Sequence, residues 1–105
     1  MFRLFLLAAM ISSFGAVHRS YAADSLPTFD TARNCRAEVA YALSIGQSEA
    51  ACVADEQRAR NGLTSEWSKF SQANKASCLR ETRIGTPSYV ELRTCLEMTR
   101  WARQK

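Results

Sequence analysis

The chain has 105 residues, a formal net charge of +4, four cysteines and a single histidine. That length holds one domain. The histidine, His18, falls in an N-terminal apolar segment. The remainder therefore has no imidazole for general acid–base work, for Ser–His or Cys–His nucleophile pairs, or for metal ligation.

Residues 1–22 read as a signal peptide. Arg3 is a short positive n-region, and Leu4 to Val17 is almost wholly apolar. Ser20-Tyr21-Ala22 places small residues where a signal peptidase reads, so cleavage is expected after Ala22, with Ala23 and Ala16 as alternatives. An uncleaved anchor is the competing reading. The apolar run is 14 residues, short of the ~20 a spanning helix needs. Loss of Arg3 and Arg19 lowers the basic count from 14 to 12 against 10 acidic residues, and the charge falls to +2. So mild a balance gives no reason to expect a nucleic-acid partner.

All four cysteines, Cys35, Cys52, Cys78 and Cys95, lie beyond the signal. An even count in a small exported chain implies disulfides, which a domain of this size needs as staples. With no CxxC pair and no histidine, a metal site is not expected. A thiol oxidoreductase is not expected either.

Residues 23–28 form a polar lead-in, and 29–105 are expected to form an all-α, disulfide-stapled domain of about four helices. Helix 1 opens with Thr28 or Asp30 as N-cap and runs to about Leu43. Its inner face is Cys35, Val39 and Ala42, with Ala32, Tyr41 and Leu43 flanking and Arg33, Arg36 and Glu38 outside. Gly46 suits a helix exit, and Ser48 caps helix 2. On helix 2, Cys52, Glu56, Ala59, Leu63, Trp67 and Phe70 form one stripe of helical period. Glu56 is the polar exception on it. A carboxylate there is expected to reach the surface or pair with an arginine. Gly62 marks a candidate break, but one helix over about Glu49–Phe70 is the preferred reading. Asp55, Glu56, Arg58 and Arg60 read as a solvated charged face.

Ser71 caps helix 3, over about Gln72–Arg83, with Ala76, Cys78, Leu79 and Thr82 inward. Gly85 is expected to take a left-handed exit, and Pro87 stops any continuation. Ser88-Tyr89-Val90-Glu91 has the S-x-x-E pattern of a capping box. Helix 4 therefore starts at Tyr89, with Tyr89, Leu92, Cys95, Leu96 and Thr99 inward and Val90, Met98 and Ala102 alongside. Cys78 and Cys95 lie at matched height either side of this turn. Cys35 and Cys52 are equally separated, in worse register. Four cysteines allow three connectivities; Cys35–Cys52 with Cys78–Cys95 is the expected one, giving two stapled helical hairpins.

The stretch from Cys52 to Cys78, with Asp55-Glu56, Ala59-Arg60, Leu63, Trp67 and Phe70, resembles an uncharacterised family of small exported four-cysteine proteins of alphaproteobacteria. The likeness is most specific at GTPSYVEL (85–92) and TCLEM (94–98). The chain is also faintly similar to the LprI-like lysozyme-inhibitor domain, another small exported helical module with paired cysteines. No residue role carries over from either.

The functional expectation is a non-catalytic exported interaction module, periplasmic or secreted, whose partner is a protein or envelope component. The alternatives are a membrane- or envelope-surface binder acting through Arg100, Trp101 and Arg103 on the basic C-terminal helix, or a small enzyme inhibitor. The competing reading of that terminus is dipole-matched charge with Trp101 in the core. Glu56, Ser88 and Tyr89 are the strongest groups for an enzyme, yet they form no nucleophile–base pattern. No catalytic residue, cofactor or metal is assigned, and no membrane span is expected after cleavage.

Overall fold

Asp30 starts the first helix: its carboxylate accepts the Arg33 N–H at 3.1 Å and supplies one of the donors' missing partners. In the computed structural model, which describes Gly15, residues 25–41 and residues 46–104, four helices follow in order. These are α1 (Thr31–Ala40), α2 (Glu49–Glu66), α3 (Gln72–Ile84) and α4 (Tyr89–Arg103), with a 3-10 turn at Trp67–Lys69 after α2. The expected signal peptide apart from Gly15, its expected cleavage site, Ala42 and Leu43 at the expected end of helix 1, and Lys105 lie outside the described residues. No described helix is long and apolar enough to cross a membrane.

Ser48, Ser71 and Ser88 cap α2, α3 and α4, each accepting the N–H three residues on. Two disulfides staple the fold. Cys35–Cys52 ties α1 to α2, and Cys78–Cys95 ties α3 to α4, both with Cα atoms 5.7 Å apart. The weaker register of the first pair is absorbed by a short α1 and a long connection to α2. The two hairpins meet chiefly through α2 and α4, while the backbone of α1 packs closely on α2 and that of α3 on α4.

The stripe on α2 and its 3-10 extension is buried along its whole length, including Glu56. It meets Leu79 of α3 and Tyr89, Leu92 and Leu96 of α4. Each fully buried leucine contributes about 1.5–3 kcal/mol. α2 runs unbroken through Gly62, and the Arg93 guanidinium of α4 lies against that position, 2.7 Å from where a Cβ would stand. The α-helix ends at Glu66, and Phe70 is already extended.

The lead-in belongs to this packing. Leu26 and Phe29 lie against the core. The Phe29 ring sits 4.6 Å from that of Tyr89, and the Phe29 N–H donates to the Tyr89 hydroxyl, which donates to the Pro27 carbonyl, both at 2.9 Å. Asn34 donates to the Pro87 carbonyl at 2.7 Å.

Several inner-face expectations are corrected. Val39 and Tyr41 are exposed, and it is Glu38 that turns toward α2. On α3 Ala76 is exposed, while Lys75 is buried with its ammonium 5.0 Å from the centre of the Trp67 ring. Gly85 leaves α3 at φ −104°, so the left-handed exit is not used. The chain instead extends toward Thr86-Pro87, as the residues before a proline prefer. Gly46 is the positive-φ glycine, at 81°. Trp101 is 61% exposed and forms no part of the core.

Candidate functional site

Glu56 is the most consequential correction. It neither escapes to solvent nor pairs with an arginine. Its carboxylate receives the Ser88 hydroxyl at 2.5 Å, the Tyr89 N–H at 2.7 Å and the Val90 N–H at 3.4 Å. Tyr89 and Val90 are the first two residues of α4, whose N–H groups lack helical partners. A buried anion at that point also faces the positive end of the helix dipole. Ser88 in turn accepts the Glu91 N–H at 3.3 Å, so its arm of the capping box forms. Glu91 itself is exposed, and the start of α4 is served by a carboxylate from α2.

Glu56, Ser88 and Tyr89 are therefore brought together, but as a cap. Each Glu56 oxygen already accepts from α4, Ser88 is used as donor and acceptor at once, and the Tyr89 hydroxyl is held by the lead-in. The geometry supplies structure at a helix start; it presents no poised nucleophile.

A cleft of about 180 Å³ lies beside the cap, lined by Glu38, Gln47, Asp55, Glu56 and Glu91 among others. Burial, then the nearby charges of Glu56 and Glu91, push the Glu38 carboxyl above the usual carboxylate range. Gln47 and Arg58 both donate to Asp55. Among the described residues, no group of His, Cys, Asp or Glu is arranged to hold a metal ion.

The larger opening is a groove of about 420 Å³ between α3 and α4. Thr82, Val90, Thr94, Cys95 and Met98 line it, and Glu81 and Glu91 stand at its rim. Val90 is 40% and Met98 65% exposed, and both lie on the outer face of α4. Val90, Thr94, Met98 and Trp101 recur at steps of four, four and three, so they share one side of that helix.

The two hairpins share a detail that the spacing already contained. Each first cysteine is followed three residues later by a glutamate, Glu38 and Glu81. Each of these places a carboxylate oxygen against the sulfur of the second cysteine, at 3.5 Å from Cys52 and 3.4 Å from Cys95.

The three basic-terminus candidates are split. Arg100 turns inward: its guanidinium lies 4.4 Å from the centre of the Phe70 ring and 3.9 Å from Glu66, and its Nη2 is buried. Trp101 lies on the outer face, while Arg103 is exposed near the end of the helix. They do not form one patch. The groove residues that sequence reasoning missed, Glu81, Glu91 and Thr94, are ordinary surface types whose signal is only their position beside Val90 and Met98.

Comparisons with protein families, with characterised proteins and with solved structures gave no match.

Proposed function

We propose that the chain is an exported, non-catalytic interaction module, periplasmic or secreted, which docks another protein on the outer face of α4 and in the groove beside α3. The observation that carries this reading is the exposed apolar pair Val90 and Met98 along an open groove. Apolar side chains gathered at a concave surface are what protein partners cover. Two disulfides in so small a chain fit an oxidising compartment, and the apolar N-terminal segment supplies a route to it.

The competing reading, a membrane or envelope binder acting through Arg100, Trp101 and Arg103, is weakened by the inward turn of Arg100. A rigid scaffold presenting a groove would also serve an enzyme inhibitor, a special case of the same docking.

A photo-crosslinking amino acid placed in turn at Val90, Thr94 and Met98, and at the exposed Arg33 and Lys69 outside the groove as controls, tests the reading in cells that export the protein. Identified protein adducts are expected at the α4 positions alone. Adducts equally abundant at all five positions, or restricted to the controls, would remove α4 as the docking face.

A further inference from the structure

The surface around Val90 and Met98 is bordered by carboxylates, and the two arginines that adjoin it near Val90 and Thr94, Arg58 and Arg93, are already paired with Asp55 and Glu97. Glu81 and Glu91 rim the groove on one side of Val90, and Glu38, Asp55, Glu56 and Glu91 line the cleft on the other. Val90 and Glu91 line both openings, so the two form one continuous surface. The ion pairs among the described residues are Arg36–Glu49, Arg58–Asp55, Arg93–Glu97 and Arg100–Glu66. Within the acidic surface only Asp55 is matched. Glu38, Glu81 and Glu91 face outward or into the cleft without a cation, and Glu56 is committed to the start of α4. Like charges held near one another next to exposed apolar groups make a surface that an approaching cation stabilises.

The apolar strip has a length as well as a sign. Val90 to Met98 spans about two helical turns, ~12 Å along α4. That is the reach of anchors at i, i+4 and i+7 on one face of a docked helix. A flexible methionine at its far end, Met98, accommodates an imperfect fit. Two copies of this chain meeting through the same face would bring two sets of uncompensated carboxylates into one interface. Anionic lipid headgroups would meet Glu81 and Glu91 first and be repelled.

We propose, resting on the docking face argued above, that its occupant is a cationic amphipathic helix of another protein. That helix lays its apolar edge on Val90 and Met98 and carries Lys or Arg against Glu81 and Glu91. The chain's overall positive charge does not oppose this, because the field at the groove is set by its own rim and falls off over about 10 Å in physiological salt.

The test uses the oxidised, isotopically labelled chain, a short amphipathic Lys/Leu peptide, and a Glu/Leu peptide of the same apolar pattern. The Lys/Leu peptide is expected to shift the amide signals of Val90, Thr94 and Met98. The Glu81→Gln/Glu91→Gln variant is expected to weaken it about fivefold or more. Raised salt should weaken binding to the parent chain and change the variant less. The Glu/Leu peptide should leave these signals unmoved. Equal binding of both peptides at these residues would overturn the cationic preference while leaving the docking face standing. Failure of the Lys/Leu peptide to shift them, or shifts scattered over other faces, would overturn the proposed occupant, and the crosslinking pattern would then judge the face separately. Vesicles of anionic lipid that produced the same shifts would assign the face to a membrane and overturn the proposal as well.

Discussion

Glu56 and Tyr89 are 33 residues apart, yet the carboxylate of one receives the backbone N–H of the other at 2.7 Å inside the protein. This contact joins the two hairpins at the start of α4, where Ser88 and Val90 also donate to the same side chain. Glu56→Ala would leave two helix-start N–H groups and a hydroxyl without their acceptor in a buried site. Each such loss costs about 1–3 kcal/mol, so a total of about 3 kcal/mol is expected, given partial relaxation. Glu56→Gln keeps one acceptor oxygen but turns an amide donor toward other donors, and should lose roughly half as much. Urea unfolding of the oxidised chain measures both. A loss below about 0.5 kcal/mol for Glu56→Ala would mean that the contact contributes nothing net.

The contrast between Glu56 and its neighbours on the α2 stripe shows what the sequence could and could not reveal. Cys52, Ala59, Leu63, Trp67 and Phe70 are legible because helical period is a local property. The Ser88 cap and the cysteine pairing are legible for a similar reason, since a hairpin's register is set by distances along the chain around its turn. The role of Glu56 depends on α4 crossing α2 at one height, a tertiary fact that no period contains. Long polar side chains hide their direction in the same way. Lys75 points its ammonium at the Trp67 ring, and Glu38 folds back on the Cys52 sulfur, although both sit at the margin of their helix faces. The groove between α3 and α4 is less legible still: Glu81 and Glu91 come together only once α3 and α4 bring them to one opening.

The Cys78–Cys95 staple closes a separation of 17 residues, for which the chain-entropy model gives about 3 kcal/mol. Cys78→Ser/Cys95→Ser should lose about that much and loosen α3, whose backbone packs closely on α4 alone. The unfolding midpoint in urea should fall, and hydrogen exchange in α3 should accelerate more than in α2. Uniform acceleration across all four helices would show instead that the staple holds the whole domain rather than its own hairpin.

Glu81 places a carboxylate 3.4 Å from the Cys95 sulfur. A thiolate attacking that disulfide meets this negative charge, and the departing thiolate is disfavoured by it as well. At a few ångströms in water such a repulsion is about 1 kcal/mol. Glu81→Gln should therefore speed reduction of Cys78–Cys95 by dithiothreitol roughly two- to fivefold. The gain should shrink as salt is raised. The rate at Cys35–Cys52 should stay as it was, which makes that disulfide an internal control. An unchanged rate at Cys78–Cys95 would mean that access, not charge, limits its reduction.

At Gly62 the Arg93 guanidinium occupies the space a side chain would take. The obstacle is the far end of a flexible, partly exposed side chain that already reaches Glu97 at 2.9 Å. Gly62→Ala gains about 1 kcal/mol of helix propensity and gives up some tenths from the displaced contact. A net stabilisation of about 0.5 kcal/mol is expected by urea unfolding. A destabilised variant would show that the close approach of Arg93 matters more than the propensity of α2.

Glu38 sets a pH dependence whose sign differs from that of an ordinary paired carboxylate. Burial and the charges of Glu56 and Glu91 raise its folded-state pKa above the unfolded value. The folded state then holds the proton more tightly, so the contribution of Glu38 is fully present below the unfolded pKa and is lost as pH rises through the folded one. The loss runs upward from the usual carboxylate range. The groups facing it are Gln47 before α2, Asp55 and Glu56 on α2, and Ser88 and Glu91 at the start of α4. Glu38→Gln, which stays neutral, should leave the chain more stable than the parent at neutral pH and similar to it in acid, flattening the profile across that window. Unfolding by urea at a series of pH values checks this. A variant whose deficit grows toward neutral pH would show that the ionised carboxylate is stabilised where it lies, against the cause assigned to its shift.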